Sequence, residues 1–186
     1  GSGPRARRRV GRTAWLAGRP GGADVATVKA RDFRIDLAFR GTKPLQLQGD
    51  RGVSRKGPLP QHASHYYSRP HLAATGSIAL GERAIVVTGT AWLDHEWSSQ
   101  YLASGAAGWD WIGINLDDGG SLMAFRMRSK DGGVLYAGGT LVRGDGKAES
   151  LAPDDIEFSP LRQWRSPRTG TTYPVGMRVR TRDAVW

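Results

Sequence analysis

The sequence predicts an all-β protein of antiparallel strands, a sandwich or an up-and-down barrel of about eight or nine of them. Three observations carry this. Short apolar runs alternate with period two, most clearly where Phe33, Ile35, Leu37 and Phe39 interleave with Arg34, Asp36 and Ala38. The 26 glycines and 10 prolines gather into turn signals about 8–12 residues apart, the spacing of sandwiches and barrels. No window carries an apolar stripe at helical period.

In chain order, residues 14–16 read as a short strand end before a glycine-rich loop, and residues 28–39 as the first full strand. Residues 44–48 form a short second strand. The next stretch, 49–67, is rich in glycine, proline and polar residues and longer than a simple turn, which marks it as a candidate flap. Residues 71–80 and 83–93 are strands joined across Gly81-Glu82, a tight hairpin. Residues 109–116 and 121–128 are joined by Asp117-Asp118-Gly119-Gly120, whose residue types tolerate positive φ. A strand at 135–143 follows the Asp131-Gly132-Gly133 turn, a weaker one surrounds Glu149, and residues 171–180 form the last.

At 186 residues the chain suits one β domain, taken as 14–186 after a basic tail at 1–13. Cysteine is absent, which removes disulfides, thiolate metal sites and a cysteine nucleophile. The formal charge of +10 is unevenly spread: Arg5, Arg7, Arg8, Arg9, Arg12 and Arg19 fall in the first nineteen residues with no acid, leaving +4 for the rest. That distribution marks a disordered, solvated leader more than a nucleic-acid surface, so nucleic acid is not an expected partner. Neither a signal peptide nor a membrane-spanning run is present in the sequence.

Chemistry concentrates in residues 89–111, which hold four of the seven tryptophans with Asp94, His95, Glu96 and Asp110. On a strand, Trp92, Asp94 and Glu96 point to one side, and His95 and Trp97 to the other. The three ionisable groups at 94–96 therefore converge only if a bulge breaks the alternation. Asp110 alternates onto the side of Ile112, Ile114 and Leu116, away from Trp109 and Trp111. There a carboxylate is either paired, with Arg126 or Arg128 at hand, or buried with a raised pKa suited to a general acid. His62, His65, His71 and His95 lack a helix to fix a metal-binding spacing, so no metal site is expected. Serine-hydrolase, Walker and dinucleotide-binding signatures are absent.

The runs KPLQLQGDRGVSRKG, SHYYSRPHLAATGSI, AWLDHEWSSQ, GWDWIGINLDDGGSLMAFRMR and YPVGMRV together resemble the AttH-like family. This is a group of secreted-hydrolase-type proteins related to the carotenoid 1,2-hydratases. The resemblance runs from about Ala30 to the C-terminus and implies a lipocalin-like barrel or half-barrel that holds an apolar or polyene-like ligand. It also implies a bacterial and often extracytoplasmic protein. Family members are about twice this length, with two lipocalin-like domains, and begin with a Glu-Trp-Trp-Tyr strand and a His-containing strand that have no counterpart here. The chain is thus expected to start part-way through the pattern, with an open sheet edge for a second domain or a protomer to cover.

The resemblance carries over to Tyr66, Tyr67, Arg69, Trp92, Trp97, Trp109 and Trp111 as ligand-binding positions, with Ser68 among the matching residues, and to Asp94, His95, Glu96 and Asp110 as catalytic ones. Acid-catalysed hydration or cyclisation would use Asp94 or Asp110 to protonate an alkene, tryptophan faces to stabilise the cation and water activated by His95, with no metal or organic cofactor. A non-catalytic carrier and a partner-binding half-barrel are the competing classes.

Overall fold

Alternating apolar residues and glycine-marked turns divide the chain into short antiparallel ribbons. The computed structural model describes residues 7–10, 14–17, 23–100, 102–182 and 184–186. Its strands are β1 (Arg7–Val10), β2 (Ala14–Ala17), β3 (Asp24–Lys29), β4 (Phe33–Arg40), β5 (Gln46–Leu47), β6 (Val53–Arg55), β7 (Ala63–Leu80) and β8 (Arg83–Trp97), followed by β9 (Ala106–Asn115), β10 (Ser121–Ser129), β11 (Val134–Val142), β12 (Ala148–Leu151), β13 (Glu157–Arg165), β14 (Thr172–Thr181) and β15 (Ala184–Val185). One 3-10 turn, Pro153–Asp155, precedes β13. The first sheet runs β1-β2-β3-β4-β7-β5, with β6 and β8 also pairing β7; the second runs β12-β11-β10-β9; the third runs β13-β14-β15. The fold is all-β and antiparallel, and no sheet closes into a ring among the described residues.

Several boundaries differ from the sequence pattern, each for a local reason. The strand expected at 28–39 is a hairpin, β3 and β4, broken by a turn in which the Ala30 N–H bonds to the Phe33 carbonyl at 2.9 Å. The expected flap at 49–67 contains β6 and the start of β7, paired from Val53↔His65 to Arg55↔Ala63. Positive φ at Gly49, Arg51 and Gly52 turns the chain tightly enough for that pairing. Strand β13 was not expected because Pro160 interrupts its run. It stands on the edge of its sheet, and the register shifts between Pro160 and Arg162, the two places where a strand tolerates proline. The count of eight or nine strands was low because it passed over these pieces and β1. Arg7–Val10 pairs with Ala14–Ala17, whereas the rest of the expected tail, 1–6 and 11–13, lies outside the described residues.

The chain divides into two compact units, Gly1–Gln46 with Ser68–Leu93, and Leu47–Tyr67 with Asp94–Trp186. In the second unit, Leu122, Ala124, Leu141, Leu151, Phe158 and Val179 form a buried core, against which Ile112, Ile114, Leu116 and Met177 pack. Gly139 is required for the approach of β11 to β10: a Cβ there would stand 2.5 Å from the Met123 carbonyl oxygen.

Candidate functional site

The β9–β10 pair has two chemically different faces. In register, Ile114 opposes Leu122, Ile112 opposes Ala124 and Asp110 opposes Arg126, and the apolar members of this face belong to the core. The other face pairs Trp109 with Met127 and Trp111 with Phe125. Those four side chains, with Lys56 and Glu96, line a cavity of about 350 Å³.

Lys56 is placed by the chain leaving β6, where its N–H bonds to the His62 carbonyl at 2.7 Å. Its side chain is 10% exposed, and Nζ lies 3.0 Å from Glu96 Oε1. Nζ also sits 4.0 Å from the Phe125 ring centroid and 4.5 Å from that of Tyr66, cation–π contacts worth about 0.5–2 kcal/mol each. Burial pushes the ammonium below the usual lysine range, because the charged form loses hydration; the negative charges of Glu96 and then Asp94 oppose that. Ser64 donates its hydroxyl to the same Glu96 oxygen, and Trp111 Nε1 donates to the Tyr66 hydroxyl at 3.0 Å. The result is a buried lysine paired with a half-buried carboxylate beside an aromatic wall.

Strand alternation sorts the remaining candidates. Ser64, Tyr66 and Glu96 share the Lys56 side of β7 and β8, while His65, Tyr67, His95 and Trp97 occupy the reverse face. On that reverse face the Tyr67 hydroxyl lies 2.9 Å from His95 Nδ1, and His65 stacks on Trp97 with centroids 5.3 Å apart. His95 therefore does not join Glu96 across the cavity, as the period-two spacing of residues 94–96 requires. Asp110 is also outside the cavity lining: Arg126 Nε donates to it at 2.7 Å, with Arg128 Nε 3.7 Å away, so it is the paired carboxylate of the core-side face. Asp94 is exposed and acts on Lys56 through its charge.

Arg69 and Trp92 belong to the first unit, where Arg69 is ion-paired with Asp24. Sequence inspection missed Lys56, Ser64, Phe125 and Met127. For Ser64 there was a signal, the alternation Ser64, Tyr66, Ser68 on β7; Phe125 and Met127 alternate on β10 opposite Trp111 and Trp109, and Lys56 had none. Among the described residues no group of three or more His, Cys, Asp or Glu side chains could hold a metal ion.

The fold has solved relatives. A protein from Nitrosomonas europaea described as an AttH is 46% identical, with a TM-score of 0.90 over 93% of this chain and 54% of that one. Kievitone hydratase from Nectria haematococca superposes with a TM-score of 0.73 at 15% identity, over 93% of this chain and 53% of that one, which extends the likeness in fold. The chain thus spans about half the length of either structure. No curated protein matches. The AttH-like family model matches residues 6–185, reaching further towards the N-terminus than the motifs from Ala30 onward, and the chain belongs to that AttH-like family.

Proposed function

We propose that the tryptophan-walled cavity of the second unit binds an apolar, unsaturated small molecule and adds water to, or removes water to form, a carbon–carbon double bond. The observation that carries this is the meeting of Trp109 and Trp111 with one acid–base pair, the buried Lys56 and the half-buried Glu96, in a cavity of about 350 Å³. Apolar walls with a few convergent polar groups are the usual make-up of a small-molecule site. A hydratase with the same fold supports the reaction class. In this scheme Glu96 exchanges a proton with water or substrate, Lys56 keeps the carboxylate in place, and the indole faces stabilise positive charge developing on carbon. The acid and water-activating roles expected of Asp94, Asp110 and His95 thereby pass to Glu96.

Oxygen exchange tests it. Apolar alkenes and their tertiary alcohols, incubated with the protein in ¹⁸O-labelled water, should gain label in the hydroxyl group. Glu96→Gln should lower that rate by about 100-fold or more, while tryptophan quenching by the same compounds keeps its midpoint. Saturable quenching without any exchange in the parent protein would favour a carrier, and full exchange in Glu96→Gln would remove Glu96 from the chemistry.

A further inference from the structure

Lys56 is placed to be more than a counter-ion for Glu96, because it is itself among the residues that line the cavity. The other lysines, Lys29, Lys43, Lys130 and Lys147, are all exposed. At neutral pH an exposed ammonium holds its proton and does not attack carbon. Lys56 differs in three respects: its side chain is 10% exposed, two aromatic rings flank Nζ, and a carboxylate oxygen lies 3.0 Å away to take up a proton.

We propose that Lys56 is a nucleophile, and that the cavity takes apolar conjugated aldehydes or ketones which condense with its Nζ to form an imine. This deepens the reading of the cavity as a ligand site and rests on it. In the first step the Lys56 ammonium gives a proton to Glu96, the freed Nζ lone pair bonds to the carbonyl carbon while the C=O π pair moves to oxygen, and a proton then passes from the cationic nitrogen to that oxygen. The resulting carbinolamine receives a proton on its hydroxyl from Glu96 and loses water as the C=N bond forms. The net change is amine plus carbonyl giving imine plus water, with no oxidant or reductant. Burial also disfavours the charged amine, which raises the neutral fraction available for attack. Protonated on nitrogen, the imine draws electrons from the conjugated double bond. Water deprotonated by Glu96 can then add at the β-carbon as the C=C pair shifts towards nitrogen. Protonation of the α-carbon and hydrolysis of the imine by a second water release the hydrated carbonyl compound and restore Lys56.

Reductive trapping tests the proposal on the full chain. The protein is incubated at pH 7 with cinnamaldehyde and sodium cyanoborohydride, then digested and mapped by mass spectrometry. The N-alkyl adduct is expected on Lys56 at a level at least about tenfold above each of Lys29, Lys43, Lys130 and Lys147, and Lys56→Arg should abolish that excess. Tryptophan quenching by cinnamyl alcohol, which has no carbonyl, is measured alongside. If aldehyde and alcohol both quench saturably but Lys56 is labelled no more than the exposed lysines, the imine is overturned and the ligand cavity stands. If neither compound quenches and no excess adduct forms, both are overturned.

Discussion

A single buried lysine shapes the chemistry of the second unit, and its titration can be followed. Burial holds the Lys56 pKa below 10.5, with Glu96 and Asp94 only partly opposing the shift. The folded value therefore lies below the unfolded one, and between the two the unfolded chain binds the extra proton. Stability from this group must rise as pH climbs through the folded pKa towards 10.5. Lys56→Met lacks the titration, so the parent should gain on the variant across that window and run parallel to it at lower pH, as urea midpoints at a series of pH values will show. A parent that loses ground as pH rises would mean the ion pair outweighs burial. Lys56 itself was not legible in the sequence, since a lone lysine in a glycine- and proline-rich stretch has no pattern to mark its burial. Glu96, Trp109 and Trp111 were picked out by residue type and density, and it is β9 and β8 that bring them to one cavity.

At the level of elements, the two faces of β9 and β10 have separate jobs, and a pair of substitutions separates them. Arg126 donates to Asp110 on the core-side face and also to the Phe158 carbonyl at 2.6 Å. Asp110→Asn leaves that guanidinium without its carboxylate, and should cost about 1–3 kcal/mol of stability by thermal or urea unfolding. Quenching of Trp109 and Trp111 by ligand, on the opposite face, should be unchanged; lost turnover at full stability would return Asp110 to the chemistry. Gly139→Ala should destabilise by about 1–3 kcal/mol because its Cβ would press on the Met123 carbonyl. The hairpins with explicit turns, at Gly81-Glu82, residues 117–120 and residues 131–133, were legible because a glycine there has one conformational purpose. The β3–β4 turn was not, since Ala30, Arg31 and Asp32 include neither glycine nor proline. Nor was β13, where a tolerated edge proline looks the same in sequence as a strand breaker.

Across the whole molecule, burial is divided unequally, which alternation alone does not reveal: period two shows which side of a strand is apolar, not what covers it. Among the described residues, Pro70 and Leu72 are the buried apolar side chains of the first unit, while the second unit holds Leu122, Met123, Phe125, Met127, Phe158 and Val179 among others. In the first unit Leu80 is 54% and Val86 85% exposed, and Phe33 and Ile85 are also exposed. Backbone ladders without a buried face add little to stability, because opening them uncovers little apolar surface. Amides of β3, β4 and residues 83–93 should therefore exchange with deuterium at least about tenfold faster than those of β9, β10 and β14, a gap of roughly 1.4 kcal/mol in opening free energy. Measured on dilute protein, equal protection of the two units would mean that the first unit is stabilised by something other than its own core. Protection that grows with protein concentration, together with a shift in sedimentation, would identify a second copy of the chain as the cover. Protection independent of concentration would place its source in the backbone pairing of β3, β4 and β8, and the inequality of burial would then have no energetic weight.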